Sequence, residues 1–269
     1  MGHLAADGPF ENGHIVGQID SLQLDEASGL AASRRHPGYL YSHNDHGGKN
    51  RLFMINAQTA RVEAILTIKN ANNHDWEDIA VGPCNGGSCI FIGDIGEGSR
   101  HSANTIYRVL EPDNVTDTAL DVNGTYRFSW EEKDSETLMV DVTGNMFIVS
   151  KVIHGAGKLA RLPSSGWDQP NPVIITPLFN LHIRTSHHDP MAGDISPDGT
   201  EILIKAKNHV FYWSAPDRDV EKALRNSGGT EVAYHREVLG ESVAFSADGG
   251  GYYTLGEGQQ EPLYFYKKK

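Results

Sequence analysis

Five versions of one short segment recur along this chain: Ser28 to Ser33 (SGLAAS), Glu77 to Gly82 (EDIAVG), Glu136 to Asp141 (ETLMVD), Met191 to Ser196 (MAGDIS) and Glu241 to Ser246 (ESVAFS). Their first positions are 49, 59, 55 and 50 residues apart, and the last three run into aligned turns at Val142 to Gly144, Pro197 to Gly199 and Ala247 to Gly249. A period of about 50 residues marks an array of like units, most often propeller blades. In such an array, residues at the same place in each unit meet around one axis. Three of the five first places are Glu and one is Ser, so the repeat itself marks an ion site.

The residues between repeats read as further strands. Second strands are expected at 39–43, 90–93, 146–150, 201–205 and 251–255, and third strands at 51–55, 105–109, 158–162, 209–213 and 262–266. Each is short, rich in aromatic and β-branched residues, and bounded by Gly, Pro, Asn or Asp. Outer strands are expected near 61–68, 125–130, 172–179 and 230–238, with a helical excursion over 217–225. The fifth unit ends after its third strand, at Lys267 to Lys269, while His14 to Asp20 stands unclaimed before the first repeat. Pairing that segment outside the last third strand closes the ring and leaves only short edges. The expectation is therefore an all-β, five-bladed β-propeller of four-stranded blades, closed by its N-terminal strand. Residues 1–13 are set apart as a processed or flexible start, and 14–269 form one domain.

Composition narrows the partners. A formal charge of −12 argues against a nucleic-acid backbone as ligand, but not against a small anion held by a few local cations. No apolar run reaches the length of a membrane span. Cys84 and Cys89 flank a tight Asn-Gly-Gly-Ser reversal, a geometry that suits a disulfide and hence an oxidising compartment. The sequons at Asn114 and Asn123 agree with a secreted glycoprotein.

Chemistry is expected on one end of the ring. In a four-stranded meander, the loops entering each inner strand share an end with those joining second to third strands. Those loops hold His43 to Lys49, His74 to Trp76, Asp94 to His101, Asp134, Ser135, Lys151 to His154, His187 to Asp189, Lys205 to Asn208 and Gly256 to Gly258, with seven of the thirteen histidines. The turns at the other end are plain, and functional residues favour loops set on a rigid scaffold. No nucleotide-binding, serine-hydrolase or zinc-peptidase motif is present. Convergent carboxylates at Glu77, Glu136 and Glu241, with Ser28 beside them, would repel unless a cation compensates. Oxygen donors favour Ca2+ ahead of Mg2+ or Mn2+. Met191 offers no hard ligand in the fourth unit, where Asp189 or Asp194 could substitute.

With these residues in view, the chain resembles the calcium-activated nucleotidase (apyrase) family in its Ser-Gly-Leu first blade, its acidic first positions and its five units. The resemblance implies a five-bladed propeller with one axial ion, held by Ser28, Glu77, Glu136 and Glu241. The loops do not share it. Three functions are open: a metal-dependent hydrolase of phosphoanhydrides or phosphate esters, a carbohydrate-active enzyme (glycoside hydrolase or uronate lyase), or a non-catalytic binder with a structural ion. For the first, Arg100, Lys151 and Lys205 would offset developing negative charge, and Asp45, Asp75, His43, His74 or His101 would act as general base. The partner is a small anionic molecule or a glycan.

Overall fold

The structure is a computed structural model that describes residues 8–97, 104–152, 156–183 and 189–269. It is nearly all β, and α1 (Val220–Asn226) is the one α-helix among the described residues. Strand β1 (His14–Gln18) precedes five antiparallel groups. The first is β2 (Ala27–Ala32), β3 (Tyr39–Asn44), β4 (Arg51–Asn56) and β5 (Val62–Lys69); the second is β6 (Trp76–Cys84), β7 (Gly87–Asp94), β8 (Asn104–Leu110) and β9 (Thr118–Ser129). The third holds β10 (Ser135–Val140), β11 (Met146–Ser150), β12 (Lys158–Leu162) and β14 (Phe179–Asn180), while β13 (Val173–Ile174) pairs instead with β9. The fourth is β15 (Pro190–Ile195), β16 (Glu201–Ala206), β17 (His209–Ser214) and β18 (Thr230–Val232). The fifth is β19 (Gly240–Phe245), β20 (Gly251–Gly256) and β21 (Pro262–Lys267), with β1 as its outer strand, His14 facing Phe265.

Side-chain alternation along each inner strand explains how the groups join. In β6, Ile79 and Val81 pack with Tyr41, Leu52 and Leu66 of the first group, whereas Ala80 packs with Leu138 and Ile148 of the third. In β10, Met139 packs with Ile202, Ile204 and Phe211 of the fourth group. Further clusters link the fourth group to the fifth, through Leu203, Phe245 and Tyr252, and the fifth back to the first, through Leu255, Leu263, Leu40 and Phe53. The apolar interfaces thus follow one another in a cycle. Each fully buried Leu, Ile or Phe contributes about 2 kcal/mol.

Polar struts reinforce the same cycle. Buried Asp78 accepts hydrogen bonds from Ile79 N, from Leu138 N of β10 at 2.9 Å and from Gly193 N of β15 at 3.2 Å. Asp194 accepts from Ile195 N and from Phe245 N of β19 at 2.8 Å. Between the first and second groups, Glu111 accepts from the Ser33 and Tyr41 hydroxyls and from Arg34 N and Arg35 N.

Several boundaries differ from the sequence reading. The fold starts before residue 14: Phe10 is buried and bridges Lys268, and Glu11 N donates to Lys267 O. The outer strand expected over 172–179 splits, because Pro177 interrupts it and a proline cannot supply a ladder donor. Strand β9 begins at Thr118, where its first residues pair in parallel with Leu66 to Lys69 of β5 and merge two groups into one sheet. Strand β18 stops at Val232 because the next residues find side-chain partners instead: Tyr252 Oη donates to Ala233 O and His235 N to Tyr266 Oη. Helix α1 is capped by Asp219, which accepts from Lys222 N, and buries Val220 and Leu224. Cys84 and Cys89 are bonded across the β6–β7 hairpin. No helix among the described residues is long and apolar enough to cross a membrane.

Candidate functional site

Every inner strand carries a register irregularity at the same place: between Ser28 and Leu30, Trp76 and Asp78, Ser135 and Thr137, Pro190 and Ala192, and Gly240 and Ser242. A β-bulge bends its strand and re-aims a side chain. Glu77, Glu136 and Glu241 stand at three of these bulges and Met191 at a fourth. The residues just past the opposing strands form a second tier at the same end: Lys151 and Glu257 hold equivalent register positions, and Asp45 lies one residue further along its own strand.

With Asp75 and Asp134, each two residues before a bulge glutamate, these tiers bring seven carboxylates together. Oxygens of Glu77, Asp134 and Glu136 lie within 4.8 Å of one another, as do those of Asp45, Asp75 and Glu77, and those of Asp45, Glu241 and Glu257. Asp45 and Glu77 are shared between sets, so the sets are continuous. Lys151 pairs with Glu136. Glu136 Oε2, Asp134 Oδ1 and Asp45 Oδ1 are buried without a hydrogen-bond partner. A Cβ on Gly96 would collide with Glu77 Oε1 and Asp75 Oδ2, so the backbone itself closes one side of the cluster.

Burial, with repulsion between neighbours, raises the pKa of Asp45, Glu77, Asp134, Glu136 and Glu257. Burial, then Glu136, keeps Glu77 well above the ordinary range, and burial does the same for Glu136 despite Lys151. Burial lifts Asp45 to about 6; burial and then Glu241 lift Glu257 to about 8. For Lys151, burial is outweighed by Glu136, and its pKa rises. The donor set is all oxygen, buried and short of cations, which suits a hard divalent ion with several carboxylate ligands. The residues present therefore fit Ca2+.

The other expected site residues fall into distinct places. Ser28 donates its hydroxyl to Glu77 O at 2.7 Å, linking the first two groups. Asp75 donates its backbone N–H to Asp94 Oδ1 at 2.9 Å, and its carboxylate holds His46 Nδ1 at 3.0 Å. His74 sits at 3.0 Å from Asp94 Oδ2. His43 is fully buried, with its ring against Trp76, and burial lowers its pKa to about 4. Lys205 is also fully buried, over the Tyr234 ring at 4.3 Å, and burial lowers it to about 8. Neither reaches the mouth surface. Asp194 spends its oxygens on backbone N–H groups, so it is not the substitute ligand that Met191 called for. Arg100, His101, His154, His187 and His188 lie outside the described residues.

The sequence reading places Asp134 and Glu257 in loops of this end but assigns neither as a ligand. Asp134 carried a signal: Asp75-Trp-Glu77 and Asp134-Ser-Glu136 repeat one Asp-x-Glu spacing. Glu257 carried no repeat signal, and strand register places it at the same step as Lys151.

Among the solved structures similar to this chain, two align with nearly its whole length. The PQQ-bound aldose sugar dehydrogenase from Streptomyces coelicolor aligns with a TM-score of 0.53 and 11% identity, covering 96% of this chain and 98% of that one. The major allergen Mala s 1 of Malassezia sympodialis aligns with a TM-score of 0.60 and 11% identity, covering 96% of both chains. Both are propeller-like. The fold is that of a β-propeller. At this identity the likeness concerns the fold alone. No family model and no curated protein sequence matches the chain, so the nucleotidase resemblance rests on the repeat skeleton only.

Proposed function

We propose that the five strand groups are the blades of a five-bladed propeller, and that its acidic mouth holds a divalent cation, Ca2+ by preference. On this reading the protein is an extracellular hydrolase of phosphoanhydrides or phosphate esters. The observation that carries it is the set of buried, unpartnered carboxylate oxygens on Glu136, Asp134 and Asp45. Several like charges gathered away from water are costly unless a cation compensates, and Lys151 supplies one positive charge. Glu77, Asp134 and Glu136 would hold the ion, with Asp45, Asp75, Glu241 and Glu257 beside them.

When bound, such an ion polarises phosphoryl oxygens and acidifies water. The chain's own residues do the rest. Lys151, fixed by Glu136, offers a cation to a substrate anion. Asp45, with a pKa of about 6, is ionised at neutral pH and able to accept a proton from water. His74 is oriented by Asp94 at the rim of the same end. Chelator-stripped protein should release no phosphate from nucleoside di- and triphosphates, and Ca2+ should restore release. Persistent inactivity with Ca2+, Mg2+ and Mn2+ would remove the hydrolase reading.

A second reading draws on a separate feature. Glu257 keeps its proton to about pH 8 beside Glu241 and Asp45, an acid next to potential bases. Retaining glycosidases set two carboxyls about 5 Å apart. Turnover of an aryl glycoside in the presence of a chelator, lost in Glu257→Gln, would favour this reading over the first.

A further inference from the structure

The opposite end of the ring, whose turns look plain in sequence, holds a cavity of about 270 Å3. Its walls come from four groups: Arg34 after β2, Val81 and Pro83 of β6, Val140 and Val142 around the end of β10, and Pro197 after β15. All of these positions lie where inner strands turn into second strands, so the cavity sits across the axis from the carboxylate cluster. The lining is mostly aliphatic, with one cationic side chain, Arg34.

The guanidinium has capacity to spare. Arg34 Nη1 donates to Ala32 O at 3.2 Å, and the backbone N to Glu111 Oε1 at 3.2 Å. No carboxylate among the described residues forms an ion pair with the side chain. The acid that shares the lining, Asp141, is already engaged by four donors of its own turn: Thr143 N and Oγ1, and Asn145 N and Nδ2. Buried Asp194 feels the Arg34 charge, which works against the effect of burial on its pKa, but forms no ion pair with it and spends its oxygens on two backbone N–H groups. A guanidinium on an apolar wall matches a planar carboxylate bidentately. One wall is also braced, since Pro83, Gly87 and Ser88 belong to the hairpin closed by the Cys84–Cys89 bond. The volume lies just below the range of about 300–1,000 Å3 found for drug-sized ligands, so the guest is small.

We propose that this cavity binds a small monocarboxylate with an apolar body, its carboxylate on Arg34 and its body against Val81, Val140, Val142 and Pro197. The site is independent of the cation mouth.

Isothermal titration calorimetry in a chelating buffer tests it, with octanoate, octylamine and inorganic phosphate as probes. Octanoate should bind at one site, and octylamine and phosphate should not. Arg34→Gln should weaken octanoate at least tenfold, and Arg34→Lys should recover part of the loss. Val142→Glu, at a partly exposed turn position, should abolish binding while the cooperative melt is retained, which keeps the test open should Arg34→Gln fail to fold. Absence of octanoate binding, equal binding of octylamine, binding of phosphate in preference, or octanoate binding unchanged in both variants would each overturn the proposal.

Discussion

Asp78 is the side chain whose removal should most directly expose how the ring is held together. Its carboxylate is fully buried and accepts three backbone N–H groups, two of them from the inner strands of other groups, Leu138 N at 2.9 Å and Gly193 N at 3.2 Å. Asp78→Ala would leave those two donors buried and unpaired, at about 1–3 kcal/mol each. Part of that is returned, because burial already holds the Asp78 pKa well above its ordinary value and its removal relieves a desolvation cost. A net loss of about 3 kcal/mol follows, which for a chain of this size lowers Tm by roughly 5–6 °C. Asp78→Asn should lose nearly as much, since its amide brings donors to a place that already has three. The comparison is Asp198→Ala, whose carboxylate serves its own turn through Ser196 and Thr200 and should cost about 1 kcal/mol. Calorimetric melts of the three variants decide the matter. An Asp78→Ala protein that melts with or above Asp198→Ala would refute the claim that axial aspartates bind the groups to one another.

Three further outcomes follow from the same geometry. His43 is neutral in the folded state to about pH 4, while the unfolded chain takes up a proton near its ordinary value of about 6.5; its contribution to stability is therefore complete above that value and falls away as pH drops toward 4. The loss reaches about 3 kcal/mol at most, and His43→Gln should flatten the stability-versus-pH curve over that window in chemical denaturation. Reduction of Cys84–Cys89, whose residues are five apart, should cost about 2 kcal/mol for so short a loop, read as a lower urea midpoint with reductant. Gly96→Ala should weaken cation binding at least tenfold in calorimetric titration with little change in the apo melt, because its Cβ meets Glu77 and Asp75.

The inner strands were legible because their apolar residues repeat in register, and the closing role of His14 to Gln18 followed from counting strands. The acidic ring was legible in Glu77, Glu136 and Glu241 for the same reason. What could not be read was anything set by register or by contact across groups. The bulges that re-aim those glutamates have no fixed residue type, as Glu136 and Met191 at equivalent places show. Asp78 and Asp194 look like further ligands in a string of letters, yet both are consumed by backbone donors from strands 51 to 115 residues away. His43 and Lys205, read as loop chemistry, sit at strand ends and are buried. Phe10 escaped notice because its partners, Tyr212 and Tyr252, lie some 200 residues or more downstream.

The central claim is that the mouth is a cation site, and the most direct test is thermal unfolding of chelator-stripped protein with and without Ca2+, beside the Glu77→Gln/Glu136→Gln variant. The account predicts a clear rise in Tm with Ca2+ that the variant lacks, together with a variant more stable than the native chain when both are metal-free, because two buried carboxyls have been replaced by neutral amides. A native protein whose Tm is unmoved by Ca2+, Mg2+ and Mn2+ alike would contradict it.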